Sequence, residues 1–476
     1  MKKSDMENTQ DTLYQDLRGS MSQFDTITPE KFEAASNGTA TYMELCQLLS
    51  EYGLTIEKVV YDDSRPFLNT FYADFEQGLY CEIYLQVENF EECHRPIFQE
   101  LARKRMGGNE HLKQQNWSIY YTMDVPLPMQ AYDFQKRVYQ IEPSQIFDIW
   151  MRIYKRLDYS NGVWKTDILN YIFSHAPETE IPELQDSGCV LVYRGIGALS
   201  QKSDTAISWS THPGNALWFA NHSGRGTQML LGEVDPADII AYFPGFYNEN
   251  EVLVKPGAVK NIRSAGMLPA DEQTFIKLSA PMLKDFIALG REALHFGYPR
   301  GEESIFNVHS IHHILRVLFL SLLYFYHSGE PLRDEDKQIL IYFSILHDIA
   351  RKHDGADETH GDAAVDLIRK KNLRIKGVHL SKKGYKIAET IIRYHCREDN
   401  VGATAIEKIP RFSRKDRERT TRLLSICKDM DGLDRVRFNG LDYRFLRTPF
   451  AARLPLIAGC LLKENIPVFL EWETEV

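Results

Sequence analysis

Near residue 300 the spacing of apolar residues changes from short β-like runs to a helical period, which separates the chain into regions of different secondary structure. Between 190 and 256 the apolar residues come in short runs, 190–193, 206–210, 228–234, 239–243 and 251–254, separated by Gly, Pro and Asn. That texture predicts strands joined by turns. From 302 to 463 apolar residues recur at helical spacing over long segments, 304–325, 335–351, 360–371 and 382–395, with a linker expected over 278–300. Upstream, the pattern predicts helices over 42–52 and 90–105, strands over 55–61 and 78–87, and further helices over 143–158 and 165–174 beyond the Pro126–Pro128 boundary. At about 150 residues per domain, 476 residues allow two or three domains. We expect a multidomain α+β chain: an accessory α+β region over 1–125, serving as an interaction surface or a purely structural part, a β-rich domain with a helical lobe over 126–285, and an all-α domain over 300–476.

Composition narrows the function classes. Lys and Arg total 56 against 66 Asp and Glu, a net charge of −10, which argues against general nucleic-acid binding because phosphate backbones are held mainly by Lys and Arg. The seven cysteines are scattered without a C-x-x-C pair, so reduced thiols are expected rather than a disulfide framework or a thiolate zinc site. No apolar run approaches the roughly 18 residues of a membrane span, and the longest is broken at Ser321. The polar N-terminus lacks the apolar stretch of a Sec signal peptide, and its first 25 or so residues read as weakly ordered. The expectation is a soluble protein, cytoplasmic or delivered into a host cell by a specialised secretion system.

Three strand-borne pieces follow one another in the β-rich region: Val192–Tyr193–Arg194–Gly195, Ser208–Trp209–Ser210–Thr211, and Glu249–Asn250–Glu251. An arginine fork suits the phosphates of a dinucleotide, and a carboxylate suits the positive charge that develops when a glycosidic bond to nicotinamide breaks. In this order the pieces resemble the arginine–serine–glutamate class of mono-ADP-ribosyltransferases. The resemblance covers about 190–256 and implies a β-rich ADP-ribosyltransferase-like domain. It implies that Arg194, Ser210, Thr211 and Glu251 bind NAD as substrate, that Ser210 holds the site together, that Glu251 is catalytic, and that Glu249 assists the acceptor. The Glu-x-Glu form implies an arginine acceptor. His212 departs from the family, where a third Ser or Thr is common.

The helical region carries His309, His312, His313, Arg316 and Val317, then His347–Asp348, Asp357, His360 and His395, and finally Asp429, Asp431, Asp434 and Arg435. Imidazoles and carboxylates on facing helices can hold a divalent metal that activates water against a phosphate ester. The pattern resembles the HD-domain phosphohydrolases. Carried over residue by residue, it implies metal ligands His313, His347, Asp348 and Asp431, with Asp429 a rival two residues away, and His360 and His395 as the extra histidines of a two-metal site. The same region is similar to the phosphodiesterase of SidE-type effectors. There, His309 or His313 would be the nucleophile and His347 the acid, with no metal. A basic run over 411–422 reads as a solvated mixed-charge helix start.

Together the resemblances imply a bifunctional enzyme of the kind found among bacterial toxins and effectors. One domain transfers ADP-ribose from NAD to a protein, such as a host protein or ubiquitin. The other is an HD-type phosphodiesterase or phosphohydrolase acting on a nucleotide or an ADP-ribosyl phosphodiester. The alternatives are a SidE-like phosphoribosyl-ubiquitin ligase, a chain in which one domain is a degenerate binding module, and a housekeeping HD nucleotidase with a regulatory NAD-binding domain.

Overall fold

The computed structural model describes residues 25–61, 69–157, 163–197, 200, 202–222, 225–245, 249–298, 311–352, 355, 357–438 and 440–462. The N-terminal tail and His309 lie outside the described residues. A four-stranded antiparallel sheet comes first, built from β1 (Asp25–Thr26), β2 (Val59–Tyr61), β3 (Thr70–Asp74) and β4 (Leu79–Glu82) in that order. The helices α1 (Pro29–Ser36), α2 (Tyr42–Glu51) and α3 (Phe90–Gly107) accompany it. The Thr28 and Thr41 hydroxyls cap the first two helices, the second in a full capping box with Glu44. The strand expected over 55–61 opens instead with a 3-10 turn, Ile56–Lys58, and the one expected over 78–87 ends at Glu82, with a last hydrogen bond from the Ile83 N–H to the Thr70 carbonyl.

The helical lobe follows as α4 (Leu127–Arg137), α5 (Pro143–Tyr154) and α6 (Thr166–Phe173). Its aromatic residues Phe134, Trp150 and Phe173 share one core with Phe71 and Tyr80 of the first sheet and with Ile207, Ile240 and Leu253 further on. Asp133, fully buried, accepts hydrogen bonds from the Tyr80 hydroxyl at 2.5 Å, the Tyr121 hydroxyl at 3.1 Å and Arg137 Nε at 3.0 Å. Apolar packing and a satisfied buried carboxylate therefore run straight across the Pro126–Pro128 boundary.

The second sheet is wholly antiparallel. Its strands are β5 (Val190–Ile196), β6 (Ser208–Ser210), β7 (Gln228–Val234), β8 (Ile239–Phe243), β9 (Glu251–Val254) and β10 (Lys260–Ser264), in the order β10-β7-β5-β6-β9-β8. Strand β10 carries no apolar signature, because Lys-Asn-Ile-Arg-Ser has one apolar residue and lies at the edge of the sheet. Helix α7 (Pro213–His222) lies on β5 so closely that a Cβ at Gly195 would sit 1.9 Å from the Ala216 carbonyl oxygen, so only glycine fits there.

The C-terminal region is helical: α8 (Glu272–Ser279), α9 (Leu283–Ala293), α10 (Ile311–His327), α11 (Asp334–Leu346), α12 (His360–Lys371), α13 (Lys382–Tyr394), α14 (Asp399–Glu407), α15 (Arg414–Leu433) and α16 (Pro455–Leu461). Helix α9 stands where a linker was expected. Its Phe286, Ile287, Gly290 and Ala293 form a buried stripe, and Phe286 meets Phe319 of α10 edge-on at 5.3 Å. The expected solvated face over 411–422 also needs correction, since Arg419 is buried and pairs with Asp336 at 2.6 Å and Glu335 at 3.0 Å. The second sheet is joined to this region. Tyr193, Ala216 and Ala220 belong to its core, α7 packs on α16, and the Leu268 N–H donates to the Arg453 carbonyl at 2.7 Å. Truncating Phe286 to alanine should cost about 3–5 kcal/mol in urea denaturation. An unchanged midpoint would mean that α9 does not pack as described.

Two candidate active sites

In the helical region, six side chains from five helices converge. His313 is carried by α10, His347 and Asp348 follow the end of α11, His360 opens α12, His395 follows α13, and Asp431 lies near the end of α15. Helices α12 and α13 touch at Gly361, where a Cβ would stand 2.3 Å from the Ile392 carbonyl oxygen, and this contact brings His360 beside His395. Each imidazole has its Nδ1 committed. His313 is bonded to the Asp434 carboxylate at 2.7 Å, His347 to the Phe343 and Ser344 carbonyls at 3.2 Å, His360 to the Asp357 carbonyl at 2.6 Å and His395 to the Ile392 carbonyl at 2.6 Å. Carbonyl and carboxylate oxygens only accept, so each Nδ1 carries a proton, and a neutral ring presents its lone pair at Nε2.

The Nε2 atoms meet in pairs, His313 with His347 at 3.2 Å and His360 with His395 at 2.9 Å. Asp348 serves both pairs, with Oδ2 at 3.7 Å from His313 and 3.8 Å from His347, and Oδ1 at 3.2 Å from His360 and 3.9 Å from His395. Asp431 Oδ1 lies 3.3 Å from His313 and 3.7 Å from His347. Facing lone pairs in a buried site need a cation or a shared proton between them, so this donor set fits divalent metal. The trios His313–His347–Asp348 and His347–His395–Asp431 each place their ligand atoms within 4.8 Å of one another.

Electrostatics agree with a cation-ready cavity. Burial would raise the Asp431 pKa, but hydrogen bonds with His313 and His347 hold it well below the usual carboxylate range. Burial opposes the His347 cation, yet Asp348 and Asp431 outweigh it and raise its pKa, while burial and the neighbouring His347 push His395 down to about 3. Asp429 takes no part: it accepts the Arg447 and Thr448 N–H groups at 2.8–3.0 Å and the Thr448 hydroxyl at 2.8 Å. Asp434, whose role sequence reasoning missed, orients His313 and is itself clamped by Arg316 Nε at 2.5 Å and Arg437 Nη1 at 2.6 Å.

On the second sheet the arginine, serine and glutamate pieces come from three adjacent strands, β5, β6 and β9, with Tyr193 opposite Ser210 and Ser210 opposite Glu251. Pairing of β5 with β6 is confined to Tyr193 and Ser210, and beyond it Arg194 donates Nη1 to the Ser208 carbonyl at 2.6 Å. Glu251 Oε1 accepts from the Ser208 hydroxyl at 2.6 Å and the Tyr154 hydroxyl at 2.7 Å. Ser210, expected to hold the site together, makes no hydrogen bond with this carboxylate: it donates to the Glu249 carbonyl at 2.8 Å and accepts the His212 N–H at 3.1 Å. Thr211 donates its N–H to the Asn250 carbonyl at 3.0 Å. Both serve the turn, where Glu249 and Asn250 have φ of 61° and 48°, while Ser208, two residues upstream, reaches the acid. Burial raises the Glu251 pKa against the lowering effect of these hydroxyls, and burial followed by the Glu251 charge raises that of Glu249.

Residues 310–436 match the HD domain family model. This segment is similar to HD domains, which points to phosphohydrolase or phosphodiesterase activity with a divalent metal. No curated protein and no solved structure matches the chain. Among the described residues no helix is long and apolar enough to cross a membrane. Asp434→Asn should lower the affinity of the HD segment for divalent ions by about 10- to 100-fold, measured by calorimetry on the metal-stripped full chain. Asp429→Asn should lower thermal stability and leave that affinity unchanged. The reverse pattern would reassign the two aspartates.

Proposed function

We propose that the HD segment hydrolyses a phosphodiester or pyrophosphate at the four-histidine cluster, with His313, His347, Asp348 and Asp431 holding one divalent ion and His360, His395 and Asp348 a second. The reading rests on one observation: four buried imidazoles, each with Nδ1 committed, turn their Nε2 atoms toward each other and toward Asp348. A metal bound there would polarise the phosphoryl group and make water a stronger nucleophile. The protein's own part is to fix the rings, keep the cavity dry, and set cationic side chains beside it. Arg351 Nη1 lies 3.5 Å from His360 Nε2, close enough to offset phosphate charge, while Arg437 Nη1 stands behind the His313 ring at Nδ1 and Asp434. His347→Ala and Asp348→Ala should each reduce hydrolysis of bis(p-nitrophenyl) phosphate by at least 100-fold or so, and chelation should abolish it reversibly. Full activity in chelator would favour the metal-free histidine mechanism of the SidE-type reading.

A second activity is favoured by a separate observation, the half-buried Glu251 carboxylate gripped by Ser208 and Tyr154 beside Arg194. In this reading NAD is the substrate, Arg194 meets its phosphates, and Glu251 stabilises the ribosyl cation as the bond from ribose to nicotinamide breaks and its electron pair leaves with nicotinamide. An acceptor nitrogen, such as a protein arginine, then bonds to the ribose carbon, and Glu249 takes its proton. Glu251→Gln should abolish nicotinamide release and labelling of lysate proteins from NAD, leaving phosphodiester hydrolysis intact. Release at the wild-type rate would remove the transferase assignment.

Glu251 must be ionised to stabilise the cation, and burial raises its pKa. Activity should therefore be lost on acidification at a higher pH than the roughly 4.3 of an ordinary glutamate. Tyr154→Phe removes a hydrogen bond that favours the charged form, so its acid limb should move to still higher pH. An acid limb unmoved by this substitution would mean that another group controls it.

A further inference from the structure

Cys396 stands beside the helical site. It follows His395 directly, where α13 has ended at Tyr394 and the chain turns. His395 itself keeps helical backbone angles, φ −65° and ψ −33°, so the ring and the thiol come together through their side chains. The Cys396 thiol is folded back over the start of α12, where it donates to the Glu358 carbonyl at 3.3 Å, two residues before His360. Its sulfur and one ring nitrogen each of His360 and His395 lie within 4.8 Å of one another. Both histidines are at least nine-tenths buried, and with their Nδ1 atoms committed to carbonyls the nitrogens left for an ion are the two Nε2 atoms, 2.9 Å apart.

We propose that Cys396 is a thiolate ligand of the ion held by His360 and His395, so that the two halves of the cluster differ in softness. The half around His313 and His347 offers nitrogen and carboxylate oxygen only. The half around His360 and His395 adds sulfur, a donor set that favours zinc, cobalt or ferrous iron over magnesium or manganese. Ligation replaces the hydrogen bond to Glu358 and releases the thiol proton to solvent. Cys396 is partly exposed, so an incoming ion can reach it.

This inference rests on the two-ion reading of the HD segment and can fail separately from it. The metal-stripped full-length protein is titrated with cobalt(II), and its visible d–d bands are followed together with the near-ultraviolet sulfur-to-cobalt charge-transfer band. The wild type should take up two cobalt ions and show the charge-transfer band with one of them. Cys396→Ser should lose that band, keep the d–d bands, and bind the softer-site ion at least tenfold more weakly. Cys460→Ser, a control thiol buried in the core of the helical region on α16, should keep the band. Cobalt uptake with d–d bands but no charge-transfer band overturns the thiolate ligand while the two-ion reading stands. A band that survives in Cys396→Ser overturns the thiolate ligand as well. Absence of any stoichiometric cobalt binding overturns both.

Discussion

The helical site depends on one commitment made four times: a buried histidine gives its Nδ1 proton to a fixed oxygen. An imidazole free to choose its tautomer would relieve a facing Nε2 pair by protonating one partner, and the cavity would close as an ordinary hydrogen bond. Here the carbonyls of Phe343, Ser344, Asp357 and Ile392 and the carboxylate of Asp434 hold the proton on the outer nitrogen. Helix ends supply three of these oxygens, the Phe343, Ser344 and Ile392 carbonyls, and the Phe343 carbonyl also accepts the His347 N–H at 2.9 Å. His347 and His395 sit just past the ends of their helices and reuse these groups.

Much of the helical site was legible because its chemistry is carried by residue types that seldom recur at such spacing, above all His313, Arg316, His347, Asp348 and Asp431. The choice of Asp431 over Asp429 was not legible, because two residues on a helix differ by about 200° in direction and only the surroundings say which turns inward. Of the strand pieces, the sequence pointed to Arg194, Ser210 and Glu251 and passed over Ser208. Ser208 and Ser210 share a face of β6 by the two-residue repeat, so sequence could not tell which would reach Glu251. Tyr154 left no signal at all, being 97 residues from the acid it touches. Helix α9 was missed because its stripe of Phe286, Ile287, Gly290 and Ala293 is short and contains a glycine.

The two candidate sites share a frame. Helix α7 begins just after Ser210, lies against β5 through Gly195, and packs its other side on α16 and on the short helix Asp434–Phe438 that supplies the His313 partner. The segment Tyr443–Phe445 places Arg444 over the Tyr193 ring, one residue from Arg194. Both sites are thus referenced to the same helix, and relative movement of the two halves would have to break apolar packing rather than bend a hinge.

The core that joins the helical lobe to both sheets bears on how this chain could have been assembled. Phe71 and Tyr80 of the first sheet, Trp150 of the lobe and Leu253 of the second form one continuous packing. Tyr154 comes from the same helix as Trp150. A mobile genetic unit cut at the Pro126 boundary would carry bare aromatic surface wherever it went. The N-terminal region is better regarded as inherited together with the strand site than as an exchangeable attachment.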